Sequence, residues 1–259
     1  MNTNEQLNPK YSLPKKPDTV SILDEEAAFQ VIEEAVLGLW SVVNNLTTIR
    51  PPKRERYRVT IFGSARLTSD SSLYQGVRRL ASELTVMGCD IVTGGGPGLM
   101  QAANEGSVLA DPADQTQSIG IRVDLDFEQN VNPFVEHVYQ HRTFFSRLHH
   151  FVLLSDAFVV VPGGIGTTLE ALMIWQLLQV RKLHDMPLIM VGEMWSDLVN
   201  WVETYMVNVT PPLATSADLL IPRCVNDFEE AIAVLRDSHA KWQQSSDLST
   251  QHMIEKITE

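Results

Sequence analysis

The sequence has little cysteine. Cys89 and Cys224 are the two cysteines among 259 residues, and they do not form a Cys-x-x-Cys pair. A disulfide framework needs more cysteines, and common zinc sites need cysteine or histidine pairs at short spacing. His149 and His150 are adjacent, so they lie on different helix faces, and neither has an acidic residue four positions away. The sequence therefore predicts reduced thiols in or near the core and no metal site.

Long apolar runs and excess positive charge are missing too. No run of about 18 apolar residues occurs, so we expect no membrane-spanning helix and no membrane partner. A formal net charge of -12 argues against the broad basic surface that binds nucleic acid. The polar N-terminus has no apolar run behind Lys15 and Lys16. We therefore expect a cytoplasmic protein that acts on small molecules.

Three short glycine-rich segments are present, each after an apolar run typical of a buried strand. They are residues 63–66, 94–98 and 162–166, and apolar residues at helical spacing follow each of them. Each unit is predicted to be a strand, a tight loop and a helix. Glycine lets the backbone approach a ligand closely, and the amides at a helix start favour an anion, most often phosphate.

The alternation of strands and helices continues along the chain. Further strands are predicted at residues 118–123, 135–139, 187–191 and 219–221, and the last helix at residues 228–235. Strands separated by helices imply an α/β fold, with a mostly parallel sheet and helices on both faces. Ligands bind outside the carboxyl ends of the strands in such a sheet. The three glycine loops should therefore line one edge.

One domain with two terminal extensions is expected. Residues 1–20 are polar and contain several prolines, which predicts a mobile tail. Residues 21–50 carry apolar residues at helical spacing, which predicts an amphipathic helix lying on the main domain. Residues 51–238 are expected to form the main α/β domain, and residues 239–259 a polar tail. The basic cluster that includes Arg56 and Arg58 is interpreted as a solvated linker.

Two common phosphate-binding motifs do not match. A dinucleotide fingerprint needs a third glycine where this chain has Leu99, counting from Gly94, or Leu169, counting from Gly164. A P-loop needs glycine followed by lysine, which never occurs here, so ATP hydrolysis by that mechanism is excluded. One glycine turn alone would be explained by sterics, but three on one edge favour a phosphate-bearing ligand.

Taken in order, the motifs resemble those of the "Lonely guy" (LOG) family of nucleotide phosphoribohydrolases. They are GSAR at residues 63–66, GGGPGLM at 94–100, Arg147, and PGGIGTTLE at 162–170, the last being quite specific. The resemblance covers residues 25–235. It implies a modified Rossmann fold, no cofactor, and a homodimer or dimer-based oligomer. The implied reaction is hydrolysis of the N-glycosidic bond of a nucleoside 5'-monophosphate to free base and ribose 5-phosphate.

The family also suggests substrates and site residues. Plant members act on cytokinin riboside monophosphates, and bacterial relatives often accept AMP. The resemblance makes Arg147 and Glu170 the catalytic pair. Leu148 stands where many members have lysine, which affects the charge beside Arg147 and hence substrate preference. The implied substrate-binding residues are Gly63, Ser64, Gly95, Gly96, Met100, Gly163, Gly164, Gly166 and Thr167.

Two of these assignments have structural alternatives. Thr167 and Glu170 fit a capping box, in which the glutamate reaches back to the backbone at the helix start. Arg147 alone could be a surface helix residue. Its helix is expected to run antiparallel to the next strand, however, so Arg147 and Glu170 can meet at the carboxyl edge. The alternative function is a nonhydrolytic nucleotide or cofactor carrier of the same fold, resembling the molybdenum-cofactor carriers.

Members of the family were long labelled lysine decarboxylases. Such chemistry needs a lysine that holds pyridoxal phosphate as a Schiff base. Lys182 is the one lysine between residues 54 and 240, and it follows the helix that starts near Thr167, away from the expected ligand edge. The sequence therefore argues against decarboxylation. The same helix is apolar on nearly every side, which predicts a dimer that buries the excess.

Overall fold

A computed structural model describes residues 25–44, 55–124 and 131–258. The chain divides into two compact units, Met1–Thr47 and Thr48–Glu259. In the first unit, α1 (Glu25–Asn44) is a helix, as predicted. The predicted tail at residues 1–20 lies outside the described residues. None of the described helices is both long and apolar enough to cross a membrane.

The second unit alternates strands and helices. Its strands are β1 (Arg58–Phe62), β2 (Asp90–Thr93), β3 (Ser118–Val123), β4 (His137–His141), β5 (Ala157–Val160), β6 (Leu188–Val191) and β7 (Pro222–Val225). Its helices are α2 (Ser72–Val86), α3 (Leu99–Ala110), α4 (Phe144–Leu154), α5 (Ile165–Gln179), α6 (Glu193–Val202) and α7 (Phe228–Thr258). A π-helical turn, Glu203–Val207, extends α6, and a 3₁₀ turn, Asp218–Leu220, precedes β7.

The strands form a single seven-stranded sheet in the order β4-β3-β2-β1-β5-β6-β7. Every neighbouring pair is parallel, which confirms the α/β prediction. The chain fills one side of β1 with β2, β3 and β4, then crosses to place β5, β6 and β7 on the other side. A ligand crevice is expected where the strand order reverses. The three glycine loops follow β2, β1 and β5, which are adjacent at that point.

Both faces of the sheet are covered by helices. One core cluster joins the sheet to α2, α3 and α7 through residues such as Leu80, Leu99 and Leu235. The other joins it to α4, α5 and α6 through residues that include Phe151 and Trp195. The central strands are buried on both faces, which explains why their sequences are continuous apolar runs rather than alternating ones.

Two predicted elements were wrong. Residues 219–221 are not a strand, because the Asp218 carboxylate accepts a hydrogen bond from the Thr215 amide at 2.8 Å and a 3₁₀ turn forms there. The strand begins instead at Pro222, a position that tolerates the missing N–H since β7 is an edge strand. The last helix does not end at Leu235 but continues to Thr258, because no glycine or proline interrupts it.

A buried carboxylate links three strands at the opposite, amino edge of the sheet. Asp90 is 1% exposed and accepts from Arg56 Nε at 2.6 Å and from Arg58 Nε at 2.9 Å. It also accepts from the Gln117 amide at 3.0 Å. The sequence pattern favours a solvated linker for these two arginines. That interpretation is wrong, because both pair with Asp90. They hold the starts of β1 and β2 and the residue before β3 together.

Candidate active site

The three glycine loops are hydrogen-bonded to one another through Ser64. The Ser64 amide donates to the Pro162 carbonyl at 3.1 Å, and the Ser64 carbonyl accepts from the Leu99 amide at 2.8 Å. Gly98 makes this approach possible: its φ is +70°, and a Cβ there would overlap the Ser64 carbonyl oxygen. Residues far apart in sequence thus form one continuous rim at the carboxyl edge.

The rim encloses an open cleft of about 460 Å³. Both predicted catalytic residues, Arg147 and Glu170, line it. Of the predicted substrate-binding residues, the lining includes Gly63, Ser64, Met100, Gly164, Gly166 and Thr167. The sequence therefore predicted correctly which motifs meet at one place, although the role of each residue stays a prediction.

The other three predicted glycines, Gly95, Gly96 and Gly163, are not among the described residues that line the cleft. A Cβ on Gly96 would stand 2.8 Å from Met100 Cε, and one on Gly95 would stand 3.3 Å from the Gly120 Cα. A Cβ on Gly163 would overlap the Thr167 side chain. In the described part of the chain, these glycines let the loops pack closely, and substrate contact by them stays a prediction.

Arg147 and Glu170 form an ion pair inside the cleft. Arg147 Nη1 lies 3.2 Å from Glu170 Oε1, and the two side chains are 12% and 10% exposed. Arg147 Nε donates to the Ile121 carbonyl at 2.9 Å, and the guanidinium lies 5.2 Å from the Phe151 ring centroid. Arg147 is therefore not a plain surface residue. Three contacts fix its orientation toward Glu170.

The capping-box alternative for Glu170 is wrong. The helix α5 begins at Ile165, two residues earlier than predicted, so Thr167 and Glu170 lie inside the helix rather than at its cap. The residue before the helix is Gly164, which has no side chain to cap with. The Glu170 carboxylate faces Arg147 instead. Its position is thus explained by the cleft and not by helix initiation.

Burial changes the acidity of Glu170. Loss of water around the carboxyl raises its pKa to about 7, and the nearby Arg147 charge opposes that rise. A carboxyl whose pKa lies near neutral pH is suited to accept and return a proton during a reaction. Perturbed groups of this kind, in a cleft and beside a specific charge, are typical of catalytic sites.

Leu148 does not take part in the cleft. It is 8% exposed and is absent from the lining, among the residues that the structure describes. The departure from the family pattern at this position therefore places an apolar residue in the body of the protein. The neighbouring Arg147 keeps its pairing with Glu170 despite it.

Sequence reasoning missed a buried polar network that supports the second glycine loop. Thr93 Oγ1 accepts from the Gly95 amide at 2.9 Å and donates to Asn104 Oδ1 at 2.7 Å. Asn132 Nδ2 donates to the Gly96 carbonyl and to Asn104 Oδ1, both at 3.0 Å. All three side chains are buried. The one sequence signal is a polar asparagine at position 104, next to apolar helix positions that pack on the sheet.

Comparisons with known proteins show the family to which the chain belongs. The model of a family described as "possible lysine decarboxylase" matches residues 100–235, more than half of the chain. The chain belongs to this family, the LOG family.

A curated relative of the LOG-family chain is the pyrimidine/purine nucleotide 5'-monophosphate nucleosidase of Escherichia coli K12. It is 27% identical over 140 residues, which are 52% of this chain and 30% of the relative. The chain therefore matches less than a third of that relative's length. A nucleotide-related hydrolase relationship is supported at the level of the family.

Two solved structures share the fold. The molybdenum cofactor binding protein of Rippkaea orientalis has a TM-score of 0.54 at 16% identity, covering 72% of this chain and 98% of its own. The Moco carrier protein of Chlamydomonas reinhardtii has a TM-score of 0.52 at 19% identity, covering 72% of this chain and 99% of its own. Likeness at such identity shows the Rossmann-like fold alone.

The residues of the cleft do not suit the decarboxylase description of the family. No lysine lines the cleft in the described part of the chain. Lys182 follows the end of α5, a helix of 15 residues, so it lies about 20 Å from the helix start at the cleft. A Schiff base with pyridoxal phosphate would need a lysine at the site.

Proposed function

We propose that this LOG-family chain hydrolyses the N-glycosidic bond of a nucleoside 5'-monophosphate, such as AMP or an N6-substituted AMP. The products are a free base and ribose 5-phosphate. The observation that carries the proposal is the Arg147–Glu170 pair, 3.2 Å apart and nearly buried, within a cleft built from three glycine loops. Glycine loops alone would bind a phosphate-bearing ligand, whereas the Glu170 carboxylate could also take part in breaking the glycosidic bond.

The proposed reaction uses the charge and basicity of Glu170. Gly164, Gly166 and Thr167 at the start of α5 line the cleft, and the backbone amides there would hold the phosphate. Breaking the glycosidic bond builds positive charge on the ribose, which a carboxylate beside the sugar stabilises. The C1'–N bond to the base breaks as the water oxygen bonds to C1' of the ribose. One water proton passes to Glu170 and from there to the departing base nitrogen, so the base leaves neutral. Arg147 would orient Glu170 and the sugar.

A nonhydrolytic carrier of the same fold is the alternative. The two structural neighbours are named as a molybdenum cofactor binding protein and a Moco carrier protein, but their likeness to this chain concerns the fold alone. A carrier needs the glycine loops and has no need of a nearly buried carboxylate with a pKa of about 7. The Arg147–Glu170 pair therefore favours the hydrolase.

A substrate panel tests the proposal. The purified protein is incubated with purine and pyrimidine nucleoside 5'-monophosphates and with the matching nucleosides, and released base is measured by chromatography. We expect AMP to be cleaved with a kcat/KM at least about 10-fold above that of adenosine, because adenosine lacks the charge-assisted phosphate contacts. Equal turnover of the two would refute the phosphate site, and no base release from any monophosphate would refute the hydrolase.

We also propose that two copies of the chain associate through α5. Most apolar residues of α5 pack against the core, so its exposed apolar surface is smaller than predicted. Ile165, Leu169 and Leu172 remain exposed. Light scattering at micromolar concentration should return a dimer, and Leu172→Asp should shift it toward monomer. Val86→Asp, at an exposed apolar position on α2, is the matched control. A monomeric parent protein would contradict this proposal.

A further inference from the structure

The charges that line the cleft do not balance a phosphate group by themselves. Three charged side chains line it, in the described part of the chain: Arg66, Arg147 and Glu170. Arg147 and Glu170 neutralise each other when the carboxyl is ionised, since they are 3.2 Å apart. A phosphate monoester carries about -1.5 to -2 charges at pH 7, so a further cation would add to the binding that the α5 amides supply. Arg66 is the cation that remains.

Arg66 is held beside the start of α5 by its loop. Its amide donates to Ser64 Oγ at 3.1 Å. The Ser64 amide in turn donates to the Pro162 carbonyl at 3.1 Å, which places residues 63–66 against the third glycine loop. The Arg66 side chain is exposed, and the ion pairs of the described residues do not include it. Its guanidinium is therefore available to a ligand in the cleft.

We propose that Arg66 binds the phosphate group of the substrate, and that Arg147 serves instead as the positioning residue for Glu170. A guanidinium can donate two parallel hydrogen bonds to phosphate oxygens, which adds direction to the attraction. The proposal names a residue for the phosphate end of the substrate and so rests on the proposed function. A local cation also matters here because the formal net charge of -12 repels anionic substrates as they approach.

The test compares Arg66→Gln and Arg66→Lys with Arg236→Gln, which removes an exposed arginine of α7 that does not line the cleft. Ribose 5-phosphate is the probe, with ribose as its uncharged counterpart, and binding is measured by calorimetry or ligand-observed NMR. Arg66→Gln should raise the Kd for ribose 5-phosphate about 10-fold or more. Arg66→Lys should restore part of the affinity, and Arg236→Gln should leave it unchanged.

Turnover gives a second readout. Arg66→Gln should raise the KM for AMP by a similar factor while kcat stays within about threefold, because the contact is made in both the bound and the transition state. An unchanged Kd and KM would overturn the inference, as would a loss confined to kcat. If ribose 5-phosphate binding depends on Arg66 but no nucleotide is cleaved, Arg66 keeps its role and the hydrolase proposal fails. If AMP is cleaved normally by Arg66→Gln, the hydrolase stands and the inference fails.

Discussion

Glu170→Gln should release base from AMP about 10²- to 10⁴-fold more slowly than the parent protein, the range typical for loss of a general base. Glutamine keeps the size of the side chain and can still accept a hydrogen bond from Arg147. It has neither the negative charge that stabilises the ribose cation nor the basicity that takes the proton from water. The loss should therefore appear in kcat, measured by chromatography of the released base.

Measurements of ligand binding and of thermal stability distinguish a loss of catalysis from a structural defect. Glu170→Gln should bind ribose 5-phosphate with nearly the parent affinity, and its melting temperature should change by no more than about 5 °C. Glu83→Gln is the control, since the Glu83 carboxylate forms a surface ion pair with Arg79 of α2, at 3.2 Å. Parent-rate hydrolysis by Glu170→Gln, or joint loss of folding and binding, would show that Glu170 is not catalytic.

The Glu170 carboxyl should also determine how hydrolysis and stability depend on pH. Burial raises the pKa of Glu170 to about 7 from its ordinary 4.5, so kcat/KM for AMP should rise through about pH 7 and level off above it. Stability should change in the opposite direction: the contribution of the protonated carboxyl is complete below about pH 4.5 and is lost as pH rises through about 7. The step near pH 7 should be absent from Glu170→Gln, whereas the second ionisation of the substrate phosphate, near pH 6, still affects both proteins.

Asp90→Ala should lower the free energy of unfolding by about 3 kcal/mol, the lower end of the range for breaking a buried ion pair. The substitution removes a carboxylate that is 1% exposed and leaves Arg56, 31% exposed, and Arg58, 16% exposed, without their shared partner. The arginines can recover part of their hydration, which keeps the loss near the lower end. The Gln117 amide loses its acceptor as well.

Chemical denaturation measures this loss. Asp197→Ala is the matched control, because Asp197 is exposed on α6 and its substitution should change the free energy by less than about 0.5 kcal/mol. Since Asp90 lies at the edge opposite the cleft, AMP hydrolysis by the folded variant should keep its parent KM. A free energy of unfolding equal to that of Asp197→Ala would show that the arginines do not depend on Asp90.

The sequence predicted the strands before the glycine loops well, because a buried apolar run that ends in glycine is determined by nearby residues. The proximity of Arg147 and Glu170 could also be predicted, because a helix that precedes a parallel strand runs antiparallel to it and so starts at the strand's carboxyl end. The support of the second loop by Asn104 and Asn132 could not be predicted in this way. Their side chains are 28 positions apart and meet only after β2 and β3 have paired.

The first turn of α5 shows a different limit. Proline and glycine at residues 162–166 favour a loop by propensity, and the capping pattern at Thr167 reinforces that interpretation. In the folded chain the Thr168 amide and hydroxyl both donate to the Gly164 carbonyl at 3.0 Å, so the helix begins earlier. That shift of two residues turns Glu170 from a cap into a residue of the cleft.

The reversal of strand order at β1 has a consequence for biosynthesis. The loops at residues 63–66 and 94–98 leave the ribosome well before Glu170, which lies 107 positions after Gly63 (170 − 63). At about 5–20 residues per second, that gap corresponds to roughly 5–20 s of translation. A nascent or prematurely terminated chain can hold the first two loops, yet it has no carboxylate and lacks the α5 amides. Under the proposed function, truncated products should therefore leave nucleoside 5'-monophosphates intact.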